Sequence, residues 1–84
     1  MMNDPIIDWC QWYVAGGASR GTVRVRRNHL RRLAEAVDPM EATTADLVEF
    51  LGVYEAQSAE SRKSAVMSLR SFYRWAVQDV RLEV

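Results

Sequence analysis

Two interruptions limit what this chain can fold into. Gly16-Gly17 and Asp38-Pro39 cut it into short segments, and within each segment the apolar residues recur at helical spacing. A first helix is expected from Pro5, a residue favoured in the first helical turn, through Ile6, Trp9, Cys10 and Tyr13 to the glycine pair. A second follows Ser19 as N-cap, carries Val23, Leu30, Leu33, Ala34 and Val37 on one face, and stops near Pro39. Thr43 with Asp46 three residues later reads as a capping box opening a third helix, whose buried stripe is Leu47, Phe50, Leu51 and Tyr54. The last helix opens between Ser58 and Ser61 and places Val66, Leu69, Tyr73, Ala76, Val77 and Val80 on one side. No alternation is long enough for a strand. The spacing therefore predicts an all-α bundle of four helices, at about 5–15, 20–37, 44–55 and 59–80, in one domain covering 1–84.

Composition bears on function chiefly through the placement of charge. Eleven Lys and Arg balance eleven Asp and Glu, so the net charge is zero, which by itself argues against a polyanionic partner. The positions reverse that argument. Arg20, Arg24, Arg26, Arg27, Arg31 and Arg32 fall in a block with no acid between Trp9 and Ala34. Arg62, Lys63, Arg70 and Arg74 fall in another with no acid between Ser61 and Gln78. Such segregation is what electrostatic steering of nucleic acid requires.

At 100° per residue, Arg20, Arg24, Arg27 and Arg31 form one stripe beside the apolar face of the second helix. Lys63, Arg70 and Arg74 do the same on the fourth, with Ser64, Ser68 and Ser71 in the adjoining sector as hydroxyls that could approach a phosphate backbone. A single stripe of this kind is more often a solvated surface than a binding site. Two like-charged stripes repel internally unless a polyanion offsets them, which favours nucleic-acid binding.

Other chemistries find little support. Cys10 is the only cysteine and His29 the only histidine, so neither a disulfide nor a metal site is expected, and no cofactor motif is present. His29 reads as a surface polar residue or a phosphate contact. Arg26 falls on the apolar side of its helix, its stem covering the core edge. Trp9, Trp12, Tyr13, Phe72, Tyr73 and Trp75 could stack on bases, but their helical spacing beside aliphatic residues favours core or subunit packing. No catalytic constellation can be assembled, so the chain is not expected to be an enzyme by itself. No apolar run spans a bilayer and no signal peptide is evident, so a cytoplasmic protein without membrane contact is expected.

Ser19, Thr22-Val23, Leu30 and Leu33 keep the register of a short pattern in the second helix of tyrosine recombinase core-binding domains. Thr43 through Leu47 with Phe50-Leu51 is similar to the start of that family's third helix. Ser61-Arg62-Lys63, Leu69-Arg70, Phe72-Tyr73 and Trp75-Ala76 resemble its last long helix. From about Ile6 to Glu83 the chain thus resembles the N-terminal SAM-like, core-binding domain of a tyrosine recombinase of the phage integrase family. The resemblance implies an orthogonal bundle of four or five helices that clamps double-stranded DNA at recombination core sites through its second and fourth helices. Strand cleavage would then belong to a separate C-terminal catalytic domain, with a nucleophilic tyrosine that is none of Tyr13, Tyr54 or Tyr73. Its further partners would be that catalytic domain and other recombinase protomers, with the isolated fragment monomeric in a bacterial host. The expected DNA contacts are Arg20, Thr22, Arg24, Arg27 and Arg31 on the second helix and Ser61, Lys63, Ser64, Arg70 and Arg74 on the fourth. The rival reading is a protein-interaction module that docks through its aromatic first helix and has no role on DNA.

Overall fold

The computed structural model describes residues 4–78. Among them are four helices and no strand: α1 (Pro5–Ala15), α2 (Arg20–Ala36), α3 (Thr44–Glu55) and α4 (Ala59–Gln78). Each start is fixed by a side chain that takes up an orphan backbone donor. Asp4 accepts from the Ile6 N–H at 2.9 Å, and Pro5 stands in the first turn. Ser19 accepts from the Thr22 N–H. Thr43 and Asp46 close a reciprocal capping box, and the Ser58 hydroxyl accepts from the Ser61 N–H at 3.0 Å. Gly17 ends the first turn with φ at 102°, a left-handed conformation that side-chain-bearing residues rarely adopt.

The bundle closes on the aromatic residues. Trp9 is wholly buried, stacks on Tyr13 and meets the Phe72 ring edge-on at 5.5 Å. Leu30 and Leu33 of α2, with Leu69, Trp75 and Ala76 of α4, complete the centre. Fully burying side chains of this size stabilises by about 1.5–3 kcal/mol each, enough to hold a small domain without disulfide or metal. Cys10 is buried and free, and burial pushes its thiol upward despite the nearby Arg27 and Arg31. Core packing is thus the role of most of the aromatic residues. Trp12 is the exception, at 42% exposed on the outer side of α1.

Several expected core positions lie elsewhere. Ala34 and Val77 are exposed, because the interface of each helix is narrower than its apolar stripe. Val66 is half-buried rather than buried. In α3 only Tyr54 is buried, whereas Leu47, Phe50 and Leu51 are half-buried, since α3 packs mainly on α4. Helix α2 ends at Ala36, one residue earlier than expected, with Val37 already extended. Val80 lies outside the described residues. The Tyr73 hydroxyl donates to the Pro39 carbonyl at 2.6 Å, tying the loop before α3 to α4. Burial, with Asp38 and Asp46 nearby, pushes this phenol up to about 12.

Candidate nucleic-acid interface

The two acid-free segments pack against each other. Helices α2 and α4 meet through His29 and Ser68, whose Nδ1 and Oγ lie 2.7 Å apart. Ser68 gives its only proton to the Ser64 carbonyl at 3.1 Å, so it accepts from His29 Nδ1–H. Two expectations are corrected here. Ser68 is fully buried and cannot meet a phosphate, because its small side chain serves the approach of α2. His29, expected at the surface, is half-buried between Ser68 and Tyr54, whose ring it meets edge-on at 5.2 Å, so its Nδ1 is committed to the seam. Burial, with the Arg32 and Arg26 charges adding, holds its imidazole below the ordinary histidine range.

Where the helices diverge above this contact, Gly21, Thr22, Val25, Arg26 and Ser64 line a shallow groove. Thr22 and Ser64, chosen separately from the sequence, come together there. The Thr22 hydroxyl already accepts from Ser19 at 2.9 Å. Arg26, whose stem was expected at the core edge, is half-buried with its guanidinium 5.7 Å from the centre of the Tyr13 ring and a buried Nε without a hydrogen-bond partner. A second shallow groove continues from this one, lined by Val25, Asn28, His29, Arg32 and Tyr54.

The expected cations are exposed but not gathered at one point. Arg20, Arg24 and Arg27 line a groove against α1, beside Cys10 and Val14. Lys63 and Arg70 line another beside Arg62 and Glu55, near the start of α4. Arg74 is exposed, and Ser61 is half-buried with its hydroxyl accepting from Ser58. Arg31 is paired with Asp4 at 3.3 Å, and Arg62 approaches Glu55 at 3.9 Å. Among the described residues, Arg20, Arg24, Arg27, Lys63, Arg70 and Arg74 form no ion pair, so their charge is open to a partner. Asn28 is not among the expected contacts, and Arg32 belongs to the basic block but is not an expected contact either. Their signal was the i, i+3, i+7 run of Val25, Asn28 and Arg32 along the flank opposite the arginine stripe.

The family model described as phage integrase, N-terminal SAM-like domain, matches residues 11–79. The chain belongs to that family. The four helices and absence of strands among the described residues fit this all-α integrase domain, and the family ties it to DNA recombination by tyrosine recombinases. No curated protein and no solved structure matches the chain. No helix among the described residues is long and apolar enough to cross a membrane, and none of them form a group of three or more His, Cys, Asp or Glu fit to hold a metal ion.

Proposed function

We propose that this integrase domain binds double-stranded DNA across the α2–α4 surface, at recombination core sites, as the non-catalytic half of a tyrosine recombinase. The observation that carries the reading is the groove where Thr22, Arg26 and Ser64 meet between two helices on which Arg20, Arg24, Arg27, Lys63, Arg70 and Arg74 form no ion pair among the described residues. Arg20 and Arg24, on the α1 side of α2, and Lys63 and Arg74 of α4 neutralise phosphates farther out along the duplex. Arg27, Arg31 and Arg70 extend the cationic margin, and the Ser61 hydroxyl contributes at the start of α4. Arg31 contributes least, since Asp4 already opposes it. Partners beyond DNA are the catalytic domain and further protomers, in the cytoplasm of a bacterial host, and the chain in isolation is monomeric.

Affinity is mainly electrostatic on this reading, so it falls steeply with salt, the slope growing by about 0.9 per phosphate contact. Fluorescence anisotropy on a labelled duplex at low salt tests it. R24E and K63E, one on each helix, should each weaken binding at least about tenfold and flatten the salt slope. No binding at low salt, or binding indifferent to salt, overturns the reading.

A further inference from the structure

We propose that the cleft between α3 and the C-terminal half of α2 is a docking site for a basic amphipathic helix of a partner protein. Helix α3 rests on α4 and does not close on α2, so Val37, Phe50, Val53 and Tyr54 line an open apolar trough. Val53 is 60% exposed and Phe50 only half-buried, which leaves large side chains short of packing partners. Tyr54 is 4% exposed, yet its hydroxyl has no hydrogen-bond partner.

Charge selects the occupant. Glu35, Asp46 and Glu49 line the cleft against a single cation, Arg32. Asp46 is fixed there, because its carboxylate accepts from the Thr43 N–H at 2.9 Å. Three carboxylates around an apolar floor repel a phosphate backbone, so although Arg32 and Tyr54 border both, this cleft is a different face from the DNA surface proposed above and does not depend on it. They suit a helix with an apolar stripe flanked by Lys or Arg. From Asp46 to Tyr54 the α3 wall runs on the order of 12 Å, which accommodates about two turns of ligand helix with anchors at i, i+3 or i+4, and i+7.

Two synthetic helices of about 15 residues test the assignment, one alternating Leu and Lys at amphipathic spacing and one with Glu in place of Lys. Each is titrated into the intact chain by calorimetry, and amide shifts are followed by NMR. The Leu/Lys helix should bind at least about tenfold more tightly than the Leu/Glu helix and shift Phe50, Val53 and Tyr54. The double variant E35K/E49K lies at exposed positions, so its fold should be retained by circular dichroism, and it should lose that preference. E60K, on α4 outside the cleft, should keep it. An excess of duplex DNA should not displace the peptide, whether or not the chain binds DNA. Equal binding of the two helices, shifts centred on α1 or the outer face of α4, or displacement by DNA overturns the proposal. So does concentration-dependent self-association abolished by E49K, which would make the occupant a second copy of this chain.

Discussion

Helix α2 meets α4 along the seam at His29 and meets α3 along the cleft beyond Arg32, and the two meetings are built differently. At the seam the facing residues are the serines Ser64 and Ser68, and a hydrogen bond of 2.7 Å locks the register. At the cleft the facing residues are Phe50, Val53 and Tyr54, and α2 touches α3 at the His29–Tyr54 ring contact while the rest stays open. The distance between packed helices follows the bulk of the side chains between them. Small residues therefore close one side of α2 into structure and large ones leave the other open. The charges follow the same division, with Arg26 and the hydroxyls of Thr22 and Ser64 bordering the seam and three carboxylates against Arg32 bordering the cleft.

The largest expected effect compares two phenylalanines. F72A empties a fully buried site and should cost about 3–5 kcal/mol in urea unfolding. F50A, at the half-open cleft, should cost less than about 2 kcal/mol. Equal losses would mean that the cleft is as tightly packed as the core. Next is S68A, which strands the His29 N–H inside the seam and should cost about 1–3 kcal/mol. S71A, a half-buried neighbour, should stay within about 0.5 kcal/mol of the parent.

Two tyrosines sharpen the contrast further. Y73F gives up the bond to the Pro39 carbonyl and should lose about 1 kcal/mol. Y54F removes a hydroxyl that bonds to nothing and should be neutral or slightly stabilising, as read by the same urea transitions. The smallest effect is that of pH. The folded chain holds His29 below the ordinary histidine range, so on acidification the unfolded chain takes up its proton first. Stability should be unaffected above that range, fall as the pH drops through it, and level off once the folded chain is protonated as well. H29N should remove this component, measurable as the difference between the two stability profiles from pH 8 to about 5.

Local signals made the helices legible before the structure. Pro5, Ser19, Thr43 and Ser58 each act at the helix start where the chain places them, because capping depends on residues only a few positions away. Gly17 likewise takes the conformation its type suggests. Pairings between helices were harder to read. Ser68 shares its sector with Ser64 and Ser71, and spacing alone does not reveal that α2 rather than solvent covers it. Spacing makes Arg31 part of an open stripe, yet Asp4 arrives from the start of α1 to pair with it. The expected α3 stripe is buried in full only at Tyr54, with Leu47, Phe50 and Leu51 half-covered, since periodicity gives the width of an apolar face and not the number of neighbours available to cover it.

The Tyr73–Pro39 bond, with the open cleft on the other side of α3, also has a consequence for how the molecule comes apart. Helices α1, α2 and α4 supply the fully buried core, whereas α3 packs half-buried Leu47, Phe50 and Leu51 against it and is tied to α4 through the loop that precedes it. Brief openings should therefore release α3 alone, with its amides exchanging with solvent sooner than those around Leu30 and Phe72. A protease tolerant of such fluctuations would make its first internal cut near Gly52, leaving the other three helices associated.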